Sequence, residues 1–429
     1  MKLSSPSVVP HTQLAKCQLI GPFRQLITMA DLPNGGPISD EQLEPIPEAG
    51  ILVKNGLVHT IGPYSELLHS AKLLESNITH LQEDFVCLPG MIDSHTHICY
   101  GGSRARDYAM RNSGKTYQEI AKSGGGIWDT VLQTRSSNQQ LLEQELFKRV
   151  SRHLGEGVTT VEVKSGYGLS VDEELKMLRA IKAVDAIHKS DLISTCLAAH
   201  ILPKDFDGSH KDYLEEISTH LFPILRSKEL TNRIDIFIED GAFSDEDARE
   251  YLLKAKEQGF DVTIHADQFN AEGSHIAVEV GALSADHLEV SGKKEIERLA
   301  NSDVVATALP GASLGLGHTY TPAREILNAG GALAIASDWN PGSAPMGDLL
   351  LQAAILGANE KLSNAEVLAG ITYRSANALG LEDRGKLEKG YLADFILFPC
   401  KDYREILYHQ GKLKPGRVWK RGELIVPCL

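Results

Sequence analysis

The sequence predicts an α/β protein, a (β/α)8 TIM barrel joined to a small β-sandwich domain that is built from both chain ends. The 429-residue chain is 42% hydrophobic and 23% charged, an ordinary globular composition with enough length for a large core. From residue 88 onwards, short apolar strands alternate with amphipathic segments such as 172–186 and 244–258. Both ends of the chain carry strand and turn patterns instead.

The central region holds eight such strands over roughly 250 residues, the number that closes a barrel. A doubly wound open sheet is the competing architecture. The residues near which we expect the eight strands to end are His97, Lys164, His200, Asp240, His265, His287, Leu309 and Asp338.

The small domain is predicted from residues 1–85 and 381–429, which leaves 86–380 for the barrel. In the segment 51–62, two apolar runs flank Asn55-Gly56, a pair that favours the type I′ turn of a β-hairpin. Turn glycines and then an apolar strand follow in 385–398. We expect 31–48, with its four prolines, to be an exposed loop.

The charge and the cysteines narrow the function class. Lys and Arg number 43 against 57 Asp and Glu, a net charge of −14, which disfavours nucleic acid as a partner and requires local cations for any anionic substrate. No apolar run approaches the roughly 20 residues that span a bilayer, and no signal peptide is visible. Six cysteines without C-x-x-C pairing indicate free thiols, and we expect Cys99 to be a packing residue. The expectation is a cytoplasmic protein without a membrane partner.

Metal-binding chemistry is indicated by residues 88–97, an apolar run that ends in His95-Thr96-His97. Side chains alternate faces along a strand, so both imidazoles point to the same side. Three more polar side chains stand at predicted strand ends: His265, His287 and Asp338. Because active sites of such barrels lie at the carboxyl ends of the strands, these groups meet at one face. Imidazoles and a carboxylate suit Zn²⁺ or Fe²⁺.

This constellation resembles the amidohydrolase superfamily over the whole chain. The resemblance implies hydrolysis of a carbon–nitrogen bond by a metal-activated water. It also implies that His95, His97, His265 and Asp338 hold one divalent metal ion, Zn²⁺ or Fe²⁺, and that Asp338 and His287 are the catalytic groups. A homodimer is common in the superfamily and is expected here.

Two positions at which this sequence differs from other members of the superfamily narrow the choice of reaction and of metal centre. Binuclear members bridge two metals with a carboxylated lysine, or a glutamate, that ends strand 4. Here Glu239 lies near the end of strand 4 and could in principle bridge, but Lys164 ends strand 2 and does not match that lysine, and we predict a mononuclear site. Nucleobase deaminases of the superfamily have a glutamate three residues after the strand 5 histidine, where this chain has Gln268. An amide cannot exchange a proton near neutral pH, which favours hydrolysis over deamination.

Several further segments resemble one branch of the superfamily: 101–104 (GGSR), 123–127 (SGGGI), 164–169 (KSGYGL), 265–268 (HADQ) and 337–343 (SDWNPGS). The resemblance implies hydrolytic opening of 4-imidazolone-5-propanoate to N-formimidoyl-L-glutamate in histidine degradation. Arg104 offers a planar fork for the propanoate inside an acidic protein. The residues expected to bind this substrate are Arg104, Tyr117, Tyr167, His200, Gln268, Asn340, Gly342 and Ser343.

Two alternatives stay open at this point. One is a different amidohydrolase that acts on another cyclic amide or on an aryl amine, with the same metal site and a different pocket. The other is a metal-free scaffold that binds a protein partner, although all four predicted ligands are present.

Overall fold

The computed structural model describes residues 17–425, apart from the side chains of residues 117, 118 and 121. The strands of the described chain are β1 Cys17–Leu26, β2 Ile46–Lys54, β3 Leu57–Pro63, β4 Asn77–His80, β5 Val86–Pro89, β6 Met91–Asp93, β7 Val158–Lys164, β8 Asp191–Ala199, β9 Arg233–Phe237, β10 Asp261–Ala266, β11 Ser284–His287, β12 Val305–Ala308, β13 Leu333–Ile335, β14 Phe395–Phe398, β15 Arg417–Lys420 and β16 Glu423–Ile425.

The α-helices of the same region are α1 Tyr64–Leu73, α2 Ala105–Asn112, α3 Tyr117–Lys122, α4 Ile127–Ser136, α5 Gln139–Gly155, α6 Val171–Asp185, α7 His210–Glu216, α8 Phe222–Ser227, α9 Asp245–Glu257, α10 Ser274–Val280, α11 Lys293–Ala300, α12 Pro310–Leu316, α13 Ala323–Asn328, α14 Leu349–Glu360, α15 Asn364–Gly370, α16 Tyr373–Ala378 and α17 Arg404–Tyr408. A 3-10 helix (Asp40–Leu43) and a π-helical turn (Ile217–Leu221) complete the set. None of the helices in the described residues is long and apolar enough to cross a membrane.

The predicted barrel is confirmed. Strands β6 to β13 form one sheet in chain order, and every adjacent pair is parallel. Each predicted strand end from Lys164 to Asp338 lies within three residues of the observed one. Helices follow every strand, and the first connection is the longest, with α2 to α5 between β6 and β7.

The barrel closes between its first and last strands just beyond the regular parts of β6 and β13. The Asp338 N–H donates to the carbonyl of His95 at 3.0 Å, and the His97 N–H donates to the carbonyl of Trp339 at 2.9 Å. The Asp93 carboxylate accepts the backbone N–H of Ser337 at 2.9 Å. These bonds bring the strand 1 histidines beside the strand 8 aspartate, although more than 240 residues separate them in the chain.

The small domain is an eight-stranded mixed sheet of the order β16-β15-β14-β5-β1-β2-β3, with β4 beside the first half of β1. Asn55 and Gly56 both have positive φ, 54° and 80°, as the predicted hairpin turn requires. Helix α1 covers one face of the sheet through Tyr64 and Leu67. The assembly of this domain from both chain ends is therefore observed.

The domain boundary differs from the prediction at residues 86–89. We placed them in the barrel, but β5 pairs with β1 and β14 and so belongs to the small sheet. The chain passes directly from β5 through Gly90 into β6, and the apolar run continues across that point. Pro89-Gly90 stands at the change of sheet, but apolar residues continue on both sides of this pair, which is why the sequence pattern was interpreted as a single strand.

A buried ionic cluster joins the small sheet to the base of the barrel. Lys420 lies 2.8 Å from Asp191, the first residue of β8, and 2.5 Å from Asp394. Arg384 donates to the same Asp191 carboxylate at 2.6 Å. These cations hold the pKa of Asp191 below its usual value against the opposing effect of burial.

Candidate active site

The predicted metal ligands converge at the carboxyl end of the barrel. The Nε2 atom of His97 lies 3.2 Å from Nε2 of His95 and 3.2 Å from Nε2 of His265. Asp338 Oδ1 lies 3.4 Å from the His97 nitrogen and 3.6 Å from the His95 nitrogen. All four side chains are buried. The predicted convergence of the His95 and His97 rings is confirmed, although β6 ends at Asp93 and both histidines lie beyond its regular part.

This spacing fits a divalent metal ion. Four tetrahedral donors at roughly 2.0–2.1 Å from Zn²⁺ are about 3.3 Å apart, and the four donor separations given above run from 3.2 to 3.6 Å. Burial lowers the pKa of His95, His97 and His265, so the imidazoles are neutral near pH 7, as metal ligands must be.

Two buried carboxylates fix the orientation of the histidines. Asp286 Oδ2 lies 2.7 Å from Nδ1 of His95, and Asp235 lies 3.1 Å from Nδ1 of His265. Each carboxylate accepts the Nδ1–H, which leaves the Nε2 lone pair facing the centre. Asp235 also accepts from the ammonium of Lys164 at 2.8 Å, and Glu162 lies 2.8 Å from the same ammonium. Lys164 is thus held between two carboxylates that outweigh its burial and raise its pKa.

Glu239, the alternative bridging residue, is occupied elsewhere. Its carboxylate accepts the backbone N–H groups of Phe269 at 2.9 Å and Asp240 at 3.1 Å. Lys164, as a paired ammonium, is equally engaged. In the described residues, the two groups considered for bridging a second metal are both engaged by other partners.

Asp338 stands at the end of β13 with an unusual backbone. Its φ is +47°, in the left-handed region that non-glycine residues rarely adopt, and such positions cluster at functional sites. Burial raises the pKa of its carboxyl to about 7. A carboxylate at this position, beside the three histidines, can accept a proton from a water molecule and return it.

The turn after Asp338 is built by Asn340. Its Oδ1 accepts the backbone N–H groups of Gly342 and Ser343 at 2.7 and 2.8 Å, and its Nδ2 donates to the Asp338 carbonyl at 2.7 Å. All the polar atoms of the Asn340 side chain are therefore used within the turn. A Cβ at residue 342 would lie 3.1 Å from Nη1 of Arg104, so glycine there lets the guanidinium approach the turn.

His287 ends β11 with a φ of +87° and lies beside the cluster. Its ring nitrogens group with those of His95 and His265 within 4.8 Å of one another. Burial opposes protonation of His287, but Glu289, whose Oε1 is 3.4 Å from Nδ1, and nearby aspartates outweigh it and raise the pKa. His287 can therefore hold a proton and donate a hydrogen bond.

A cavity of about 360 Å³ opens from this cluster, a size typical of small-molecule sites. The structure brings most of the predicted substrate residues to its wall: Arg104, Tyr167, His200, Gln268, Asn340, Gly342 and Ser343. The side chain of Tyr117 lies outside the described residues. Cys99 is fully buried in the core and does not line the cavity, in agreement with a packing role.

Glu174 on α6 shapes the loop that carries Tyr167. This buried carboxylate accepts the N–H groups of Gly166, Gly168 and Leu169 at 3.0, 2.7 and 2.8 Å. The carbonyl of Gly166 in turn lies 2.9 Å from Nδ1 of His200. Burial lowers the pKa of His200 to about 3, so its ring is neutral and Nε2 is a free acceptor.

Sequence reasoning missed several of these residues. They are Glu162, Glu174, Asp235, Asp286 and Glu289, which orient site residues, and Arg111, Lys115 and His318, which line the cavity. The available signal was charge inside apolar strands: Glu162, Asp235 and Asp286 each interrupt a strand that is otherwise buried. Such groups are buried only when paired, which marks them as part of a site.

Comparison with known proteins identifies the family of this chain. The model of the amidohydrolase family matches residues 125–426. The chain belongs to the amidohydrolase family. Among relatives of this amidohydrolase, the imidazolonepropionase of Bacillus cytotoxicus is 39% identical over 406 residues, 93% of this chain and 94% of the relative. The imidazolonepropionase of Bdellovibrio bacteriovorus is 38% identical over 398 residues, 92% and 93% of the two chains.

Solved structures share the amidohydrolase fold at lower identity. An adenosine deaminase from Xanthomonas campestris with bound zinc superposes with a TM-score of 0.68 at 17% identity, over 96% of this chain and 93% of the other. Atrazine chlorohydrolase from Arthrobacter aurescens, complexed with zinc and atraton, gives 0.71 at 17% identity over 96% of each chain. At this identity the likeness establishes the fold.

Proposed function

We propose that this chain is an imidazolonepropionase, which hydrolyses the cyclic amide of 4-imidazolone-5-propanoate to N-formimidoyl-L-glutamate in histidine degradation. The observation that carries the proposal is that a cluster of three histidines and one aspartate lies at a cavity whose wall carries arginine and lysine side chains. The relatives that bear this name align over more than nine tenths of the chain.

One divalent metal ion, Zn²⁺ or Fe²⁺, is proposed at His95, His97, His265 and Asp338. When bound, it lowers the pKa of a coordinated water from about 16 towards about 7 and polarises the substrate carbonyl. The engagement of Glu239 by backbone N–H groups and of Lys164 by two carboxylates supports the proposal of a mononuclear centre.

The chain's own residues then move the protons. Asp338 takes one proton from the attacking water, whose oxygen bonds to the ring carbonyl carbon. His287, whose Nδ1 lies 3.4 Å from Glu289 Oε1, donates a hydrogen bond to the oxyanion that develops there. The ring carbon–nitrogen bond breaks, and the Asp338 carboxyl returns its proton to the departing nitrogen. The carbonyl carbon becomes a carboxylic acid, which releases the second proton of the water to solvent and leaves the carboxylate of the product.

We propose that residues on another part of the cavity wall orient the imidazolone ring of the substrate. His200 presents a neutral Nε2 acceptor for a ring N–H, because its Nδ1 is tied to the Gly166 carbonyl. Gln268, largely buried in the wall, can donate and accept at the ring edge. Tyr167, buried beside His97 and His200, adds a phenolic hydroxyl. None of these groups is a proton shuttle of the deaminase type, which favours ring opening.

The position of isotope label tests the assignment. Metal-loaded protein is incubated with 4-imidazolone-5-propanoate in ¹⁸O-water, and the product is fragmented in a mass spectrometer beside an enzyme-free control. We expect N-formimidoyl-L-glutamate with one ¹⁸O atom in the carboxylate next to the substituted nitrogen. Label on the one-carbon group, or no product above the spontaneous rate, would overturn the proposal.

A further inference from the structure

Helix α2 presents a second guanidinium to the cavity. Asp107 and Arg111 are spaced i and i+4 on one face of α2, Arg104 is the residue that precedes the helix at its N-cap, and all three line the cavity. Lys115 lies further along the same wall and pairs with Glu119 at 2.9 Å at the solvent-exposed rim. The wall is cationic in a protein whose net charge is −14.

The two arginines differ in how their charge is compensated. Arg104 Nε donates to Asp107 Oδ2 at 2.5 Å, and that same oxygen accepts the backbone N–H of Gly126 at 2.8 Å. Arg104 therefore has a carboxylate of its own. Arg111 has no carboxylate oxygen within 4.0 Å among the described residues, and its Nη2 donates to the carbonyl of Gly342 at 3.0 Å.

Arg111 is also incompletely hydrogen-bonded. Its Nε is buried and has no partner among the described residues. Burial, together with the neighbouring Arg104, lowers the pKa of the guanidinium, so the two like charges are close enough to oppose each other. Two neighbouring guanidiniums, of which only Arg104 is paired with a carboxylate, form a site that an additional carboxylate would complete.

We propose that Arg111 is a specificity-determining residue, which supplies the uncompensated positive charge that holds the propanoate carboxylate of the substrate. Arg104, already neutralised by Asp107, orients that carboxylate. Through Gly342, Arg111 also ties the anion site to the turn that follows Asp338. This inference rests on the proposed function, since it names the group that recognises the substrate's tail.

The test compares Arg111→Gln with Arg106→Gln, a matched change at an exposed arginine of the same helix. Each metal-loaded protein is assayed on 4-imidazolone-5-propanoate and on its neutral propanamide analogue. Loss of one charge-assisted contact predicts a rise in KM of roughly 10- to 100-fold for the acid, with kcat within about threefold. For the propanamide, kcat/KM should stay within about threefold. Arg111→Lys should recover part of the loss, because it restores the charge without the fork.

A role in loop structure alone would lower kcat/KM equally on both substrates, and that result overturns the proposal, as does an unchanged KM for the acid. Binding of N-formimidoyl-L-glutamate, measured by calorimetry, separates this inference from the proposed function. If the parent does not turn over the imidazolone but loses affinity for this dicarboxylate when Arg111 is replaced, the function fails and the anion site stands. If the parent turns over the imidazolone but the affinity for N-formimidoyl-L-glutamate does not change when Arg111 is replaced, the inference about Arg111 is wrong and the proposed function stands.

Discussion

Replacing Asp286 by asparagine should weaken metal binding and leave the fold largely intact. Of the two contacts between a carboxylate and a histidine, that of Asp286 is the shorter: Asp286 Oδ2 lies 2.7 Å from Nδ1 of His95, whereas Asp235 Oδ2 lies 3.1 Å from Nδ1 of His265. Loss of such an orienting carboxylate typically weakens metal affinity about 10- to 100-fold. At 1.36 kcal/mol per tenfold, this is about 1.4–2.7 kcal/mol, and the short contact places Asp286→Asn towards the upper value.

The measurement is the Zn²⁺ dissociation constant of the metal-free protein, obtained by competition with a fluorescent chelator. Asp261→Asn is the matched control, because Asp261 is exposed at the opposite end of the strand that carries His265. An Asp286→Asn protein that binds Zn²⁺ within about twofold of the parent would refute the idea that this carboxylate sets the His95 ligand.

Asp235→Asn offers a contrast within the same cluster. It weakens the contact to His265 and also leaves the buried Lys164 ammonium with Glu162 as its remaining carboxylate. Breaking a buried ion pair costs about 3–5 kcal/mol, and the surviving Glu162 contact places this variant near 3 kcal/mol. Urea unfolding of the metal-free proteins should therefore separate the two variants: Asp235→Asn loses stability and Asp286→Asn loses mainly metal affinity.

Three further changes have defined outcomes. Glu174→Gln removes the acceptor of the Gly166 N–H and should lower kcat/KM roughly tenfold at unchanged metal content, since it loosens the loop that positions His200; normal kinetics would contradict this role. Asp191→Asn should be less stable in urea than the parent at neutral pH. The pKa of Asp191 is lowered in the folded state, so this carboxylate stabilises the fold above its ordinary pKa of about 3.9 and ceases to do so as the pH falls through the folded pKa. The difference in stability between the variant and the parent should therefore shrink below about pH 4. A difference that is the same at every pH would count against a stabilising role of the ionic cluster. Cys99, whose pKa burial raises to about 12, should resist alkylation in the native state, and Cys99→Ala should keep full metal content; loss of metal would make it a ligand.

The residues that sequence reasoning located are those whose placement depends on strand periodicity. His95 and His97 follow β6 two residues apart with their imidazoles on the same side, and His265, His287 and Asp338 each end or follow a recognisable apolar run. The rule that barrel sites lie at the carboxyl ends of strands then brings them together without further information. The same reasoning identified both ends of the chain as one β domain.

The residues that it missed depend on register between distant strands. Asp286 lies 191 positions from His95, and their contact follows from how the barrel closes, which periodicity does not specify. Glu174 reads as one of several acids at the start of an amphipathic helix until the loop it binds is seen. Arg111 looks like a surface arginine until the direction of α2 is known. The boundary at 86–89 was misplaced because one apolar run serves two sheets.

The central claim is that this cluster hydrolyses 4-imidazolone-5-propanoate with a bound divalent metal. The most direct measurement is the loss of imidazolone ultraviolet absorbance with purified protein, before chelation, after chelation and after addition of Zn²⁺ or Fe²⁺. We predict rapid loss that chelation abolishes and that one of these metals restores, with the more active metal identifying the catalytic ion. Loss no faster than the spontaneous rate with metal present, or loss that chelation leaves unchanged at verified zero metal content, would contradict the account.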